Sequence, residues 1–526
     1  IREHVGAEWE ILTRERDKKK YYQLCRKARN AATAAIILRD KALLEMAVKY
    51  AVSLAICEKW GESHISVLPG CEFETRVFYI GECTEDIAIT LDLAGELITW
   101  HGQEYLQRRI AEYGLGMTNY TVWRYDYIHH CNQMPAFSRS RLYAYLVLER
   151  AWERAKPYTD LAVQELGAAL GNIIHADGGF AEGPHYIQYA LQTALPAYYY
   201  FARSRKLPFA GVLPECIRNT ARYAEAMYST DDTQEFIPNN DGGWDNRFVN
   251  EEAAVFLASM LPDSHWVTAY RKWRARTPAY SKYVYAWEIE DSIPAKGPAF
   301  SNRVALTSCG LVESLRQYKG EHVKIMLFGA SKVNGGGHQH EDLGSFVLEF
   351  AGDTFAMDTG TCRYDNVHSA LFQNHERHNV LVPTGVTERP HMNTKVACEF
   401  IPVHESDDTR MHATMELAKA WDGYFSTWAR EWDSATPGEL TIRDTYALAK
   451  GTGVEWAWLT LRDVTVNKNT VTLTGRRGRV VIDIPEGCTV RVDAMSMPDE
   501  RQQKRIVFCK SGTTGSIEVR CRLELL

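Results

Sequence analysis

The chain has no CxxC pair. Its 12 cysteines stand singly along 526 residues, which argues against a cysteine-based zinc site and against a dense disulfide scaffold. Most are expected as buried free thiols. No run of about 18 uninterrupted apolar residues occurs, so no membrane-spanning helix is expected. No Lys/Arg-rich tract of the kind that follows a phosphate backbone is present, and the formal net charge is -7, so nucleic acid is not an expected partner. No Gly-rich loop joins a strand to a helix, and a dinucleotide-binding fold is not supported. The opening residues, IREHVGAEWE, contain neither Met nor a charged-then-apolar leader; this end reads as processed or trimmed, and export is not read from it.

What is there is an ordinary globular composition, 45% apolar and 24% charged, in a chain long enough for two or three domains. Aromatic content is on the rich side, with 27 Tyr and 14 Trp. The pattern changes once along the chain. Over residues 1–288 it is helical. DKALLEMAVKYAVSLAICEKW (40–60) places Leu43, Leu44, Ala47, Tyr50, Ala51, Leu54 and Ala55 at spacings of three and four, an amphipathic stripe. Segments 140–155, 161–176 and 213–230 read the same way. Helix after helix without an intervening strand signal favours a solenoid or an incomplete (α/α) toroid over a plain bundle. After the Pro- and Gly-bearing stretch IEDSIPAKGPAFSNR (289–303) the period becomes two. GSIEVRCRLELL alternates strictly, with Ile517, Val519, Cys521 and Leu523 on one face. SFVLEF and TFAMD flank a short hairpin connection at Ala351–Asp353. Residues 289–526 are therefore expected to form an antiparallel β-sandwich.

The densest chemistry lies in NGGGHQHEDLGSFVLEFAGDTFAMDTG (334–360). His338 and His340 at i and i+2 share one side of an extended chain. Asp358 follows at the end of the returning strand, and LFQNHERHNVLV (371–382) adds His375 and His378. Two imidazoles and a carboxylate from neighbouring strands suit zinc and leave a position for water. The plain alternative is a polar sheet edge with surface histidines. In the helical half, HADGGFAEGPHYIQYAL (175–191) breaks at its glycines and starts a helix near Pro184. Tyr186 and Tyr189 lie one turn apart on it, either as an aromatic face for a sugar ring or as a packing stripe. YDYIHHCNQMPAFSRSR (125–141) carries His129, His130, Asn132 and Gln133. IPNNDGGWDNRF (237–248) carries Trp244. Polar, aromatic loops between helices suit sugar subsites, although helix capping also accounts for them.

DGGFAEGPHYIQYAL, followed by GGGHQHEDLGSFVLEFAG, MDTGTCRY and RHNVLV, resembles the heparinase II/III-like polysaccharide lyases over nearly the whole chain. EGPHYIQYAL is most similar to the alginate and oligoalginate lyase branch. The resemblance implies a toroid followed by a β-sandwich, secretion or a periplasmic location of bacterial type, and an anionic polysaccharide or oligosaccharide as partner. It places Tyr186 at the family's catalytic Tyr, His338 at the catalytic His, and Asn132 at the residue that neutralises the uronate carboxylate. Arg363 falls at a substrate-contacting Arg. His129, His130, Gln133, Tyr189, Trp244 and His375 are the further candidate substrate contacts. His340, Asp358 and His378 match the structural zinc ligands of some members. Gln188 stands where the alginate branch often has Arg, which leaves the sugar and the exo or endo mode open. Oligomeric state is not legible.

The implied reaction removes the C5 proton of a uronic acid and expels the sugar bonded at C4. Tyr186 can serve as base and acid when both groups lie on one face of the ring. When they lie on opposite faces, His338 takes the proton and Tyr186 protonates the leaving oxygen. Two rival readings remain from the residues alone. One is a glycoside hydrolase using carboxylates such as Asp177, Glu182 or Asp241; the other is a non-catalytic glycan-binding protein.

Overall fold

The computed structural model describes residues 18–57, 60, 77–242, 249–277, 284–330, 337–362, 364, 366–398, 400–401, 407–499 and 501–526. Among the described residues, helices run from Lys18–Leu38 to Pro184–Arg205 without an intervening strand. Lys41–Ile56 is capped by Asp40, whose side chain accepts from the Ala42 and Leu43 amides, and it buries Leu43, Ala47, Tyr50, Ala51, Leu54 and Ala55. The expected stripe is thus the buried face, apart from Leu44 at its margin. Phe78–Ala94 is buried around most of its circumference, because Lys18–Leu38, Lys41–Ile56 and Gln133–Ala151 all pack on it. This is the paired-helix arrangement of the expected (α/α) toroid.

Secondary structure changes from helix to strand between Val284–Ile289 and Arg303–Leu306. The compact units divide the chain differently: Tyr189–Pro214 groups with residues up to Ile173, and Ile174–Gln188 groups with Glu215–Leu526. The second unit contains three antiparallel sheets. A five-stranded meander runs in chain order through Arg303–Leu306, Leu311–Tyr318, Glu321–Phe328, Phe346–Phe350 and Asp353–Ala356. An eight-stranded sheet has Thr514–Leu525 and Glu439–Leu448 at its centre, and a four-stranded sheet joins Leu381–Thr384 to Gly453–Thr460. All three contribute to one apolar core that includes Phe346, Trp428, Trp432, Trp456 and Trp458. Ile517, Val519, Cys521 and Leu523 face it, each at most 3% exposed, as the alternation requires. Burying so many indoles demands partners for their N–H groups. Asp444 accepts from Trp428 at 2.6 Å and Trp456 at 2.7 Å, while Arg430 bonds both of its oxygens.

Three local features position the site. The hairpin at Ala351 and Gly352 has φ of 48° and 77°, the paired left-handed conformation that tight two-residue turns need. Asp231 ties the turn after Cys216–Met227 to the strand Asp353–Ala356. Its Oδ1 accepts from the Thr233 amide at 2.8 Å, and its Oδ2 accepts from the Thr354 amide at 2.9 Å. Gly360 has φ 61°, and a Cβ there would lie 2.0 Å from the Gly242 carbonyl oxygen. Only glycine lets the Asp358–Gly360 turn and the loop carrying Asp241 approach so closely.

Candidate active site

No strand includes His338–His340; the next strand begins at Phe346. His338 has φ 70°, a left-handed conformation uncommon among residues other than glycine, though His is one of those enriched there. The two histidines are thus not side by side on an extended edge. Their rings reach the two oxygens of one carboxylate that belongs to Asp241. His338 Nδ1 lies 2.5 Å from Asp241 Oδ2, and His340 Nε2 lies 3.0 Å from Oδ1. The Tyr364 hydroxyl donates to Oδ2 at 2.7 Å, and the Gln373 amide donates to Oδ1 at 3.3 Å. Burial opposes ionisation of Asp241, but the hydrogen bonds from His338 and His340 outweigh it and hold the carboxyl far below the usual carboxylate range.

Tyr186 lies in the first turn of Pro184–Arg205. Its ring stacks on His338 with centroids 4.0 Å apart and planes 14° from parallel. Its hydroxyl is 2.6 Å from that of Tyr364. Tyr364 gives its only proton to Asp241, so its oxygen accepts from Tyr186. Burial, Tyr186 and the Asp241 charge push the Tyr364 hydroxyl far above its ordinary value, so it stays protonated as a hydrogen-bonding post. His338 is 27% exposed at its side chain, whereas Asp241 is buried. The site is an imidazole and a phenol in van der Waals contact, mounted on a buried anion.

A second group lies directly behind. His340, Asp358 and His378 bring a ligand atom each to within 4.8 Å of one another, and all three are buried. His378 Nδ1 is 3.0 Å from Asp358 Oδ2. His340 Nδ1 and His378 Nε2 are buried without a hydrogen-bond partner. Buried imidazole nitrogens left without a partner are costly, and a divalent cation held by this group would relieve that cost. Burial also pushes the neighbouring Asp342 carboxyl up to about 6, with His378 opposing and Asp358 adding to the rise. The donor set fits a metal in the way the sequence suggests. A further group, Glu341, His375 and Glu376, does not fit one, because the Arg389 guanidinium already bonds Glu341 at 2.9 Å and Glu376 at 2.8 Å.

The other candidate residues are placed as follows. His375 is 3% exposed, with Nδ1 2.8 Å from Glu341. That buried network occupies its ring. Asn132, His129, His130, Gln133 and Tyr189 belong to the helical unit. Asn132 is 4% exposed at the start of Gln133–Ala151. His129 Nε2 bonds the Val122 carbonyl at 2.8 Å, and the half-exposed His130 lies 3.7 Å from Asp126. Gln133 Oε1 is buried without a hydrogen-bond partner. Arg363 and Trp244 lie outside the described residues.

Asp241 and Tyr364 are the residues of the candidate site that sequence reasoning did not place there, Asp241 having been weighed only as a hydrolase carboxylate. A hydrolase needs one carboxylic acid of raised pKa. Asp177 accepts from the Ser308 hydroxyl at 2.6 Å and the Gly179 amide at 2.9 Å. Although burial opposes it, those bonds lower its pKa, as the histidines lower that of Asp241. Neither environment favours the raised-pKa acid of such a pair.

Residues 311–519 match the model of the heparinase II/III-like C-terminal domain. A sequence comparison with curated proteins gives no match. Among solved structures, the chain is similar to a heparan sulfate lyase HepC mutant from Pedobacter heparinus, with a TM-score of 0.64, 14% identity, and coverage of 98% of this chain and 78% of that one. A heparinase III gene product gives 0.67 at 11% identity over 98% and 80%. Another heparinase III gives 0.66 at 14% over 94% and 75%. At these identities the solved structures establish the fold, helical region followed by antiparallel sheets. Residues 311–519 thus form a heparinase II/III-like C-terminal domain, in a chain whose fold is that of the solved heparinase structures.

Proposed function

We propose that this chain cleaves a uronic-acid-containing polysaccharide by β-elimination, with His338 and Tyr186 as the proton-transfer pair. The observation that carries the reading is the stacked Tyr186–His338 pair, 4.0 Å between centroids, fixed to one buried carboxylate. Asp241 is ionised, so His338 directs its Nδ1 proton to it and keeps Nε2 as a lone pair for the C5 hydrogen. Tyr has an unperturbed pKa of about 10, so a tyrosine hydroxyl is ordinarily protonated at neutral pH. Tyr186 is therefore the acid that protonates the C4 oxygen, and His338 is the base. The family resemblance assigns Asn132 and Arg363 to the uronate carboxylate, where enolate-like charge develops. Zinc suits His340, Asp358 and His378; when bound it supplies a rigid anchor for the loop behind His338. A polymeric substrate is met outside the cytoplasm, which favours a secreted or periplasmic protein.

EGPHYIQYAL favours alginate as the polymer. The fold neighbours include a heparan sulfate lyase and a heparinase, which favours a glycosaminoglycan as the second reading. A panel of alginate, heparan sulfate, hyaluronan, chondroitin and glucuronan, followed by ultraviolet absorbance, separates them. One polymer should give an unsaturated product that absorbs; new reducing ends without absorbance would mean hydrolysis and end the proposal.

A further inference from the structure

We infer that Asp241 is a positioning residue that sets opposite tautomers on the two histidines of the HQH run, making one a base and the other a metal ligand. The inference deepens the lyase reading and rests on it for the role of His338. Among the described residues, Asp241 receives four donors. Oδ2 faces His338 Nδ1 at 2.5 Å and the Tyr364 hydroxyl at 2.7 Å. Oδ1 faces His340 Nε2 at 3.0 Å and the Gln373 amide at 3.3 Å. An ionised carboxylate only accepts, so each imidazole must present N–H to it. In neutral His338 the proton then sits on Nδ1 and the lone pair on Nε2. In neutral His340 the proton sits on Nε2 and the lone pair on Nδ1. That Nδ1 is the buried, unpartnered nitrogen of the group formed with Asp358 and His378. One residue thus prepares both histidines, and it is supplied by a loop 97 positions before His338.

The substitution Asp241→Asn puts this to a sharp test, because an amide offers one acceptor and one donor. It cannot receive N–H from both rings. With the amide oxygen on His338, His340 must carry its proton on Nδ1, and the protein should bind Zn²⁺ far below one equivalent. With the oxygen on His340, zinc binding stays near one equivalent. His338 then holds its proton on Nε2, and turnover should fall on the order of 10²–10⁴-fold with KM little changed. Either result supports the inference. An Asn variant that keeps both stoichiometric zinc and turnover within about twofold of wild type would overturn it. Histidine ¹⁵N shifts of the wild-type protein, read without metal or substrate, give a measurement independent of any variant's folding. His338 should show the Nδ1–H tautomer and His340 the Nε2–H tautomer. Both rings in one tautomer would contradict the inference. If the tautomers are opposite but no uronate polymer is cleaved, the assignment of Asp241 stands and the lyase reading falls.

Discussion

At Tyr186 and His338 the division of labour has separate consequences. Tyr186→Phe removes a single hydroxyl and keeps the ring stacked on His338, so oligosaccharide binding should stay near wild type. Turnover should drop by about 10²–10⁴-fold; a variant that retains more than about a third of the rate excludes Tyr186 as the acid. His338→Ala should lower turnover comparably while costing less melting temperature than loss of the fully buried His340, since its side chain is 27% exposed. His340→Ala should do the reverse, because a buried ligand carries metal-binding free energy into the folded state. Thermal melts, rates and metal content on both variants check this pair. These two histidines and Tyr186 were legible because short motifs mark them. Asp241 and Tyr364 were not, because their meaning is a meeting of residues 123 positions apart, and no local pattern encodes it. His375 shows the converse: it sits in a motif but its nearest anion, Glu341, comes from 34 positions away.

Turns and strand ends hold these groups in register. Asp231 anchors the strand that leads to Asp358 by accepting from Thr233 and Thr354. Burial opposes its ionisation, but these hydrogen bonds win and its pKa is lowered. A folded-state pKa below the unfolded one means that stability is present above the ordinary value of 3.8 and is lost as pH falls through the folded value. Asp231→Asn should therefore lower stability by about 1–3 kcal/mol at neutral pH. The difference from wild type should shrink as denaturant melts are repeated at progressively more acid pH; a constant difference down to pH ~2 would contradict the role. Gly360→Ala addresses the second contact. Its φ of 61° and the Gly242 carbonyl 2.0 Å from the would-be Cβ leave no room. The loop bearing Asp241 must shift, costing roughly 1–3 kcal/mol and turnover as well. Hairpin and strand registers were readable from alternation and from the Ala-Gly turn, since those rules are local. The left-handed His338 was not, because Gly335–Gly337 permit a bend without specifying one.

Across the whole molecule, the switch from helical to alternating period was visible in the sequence because hydrophobic periodicity is the direct imprint of a buried face. How the chain partitions was less visible. Ile174–Gln188, which carries Tyr186, groups with the sheets and not with the helices around it. Contacts distant in sequence decide that membership, and no linker composition marks it. Metal is the other property of this scale. With His340, Asp358 and His378 in a buried cluster, chelation should lower the melting temperature of the whole protein by more than it lowers the rate measured well below that temperature. Elemental analysis showing no stoichiometric divalent ion would remove this expectation. The central claim is that Tyr186 and His338 perform β-elimination on a uronate, and ultraviolet absorbance during digestion of the uronate polymers by wild type and Tyr186→Phe tests it most directly. Absorbance should rise with at least one polymer for wild type and be lost almost completely in the Phe variant. New reducing ends without absorbance, or equal absorbance from both proteins, would contradict it.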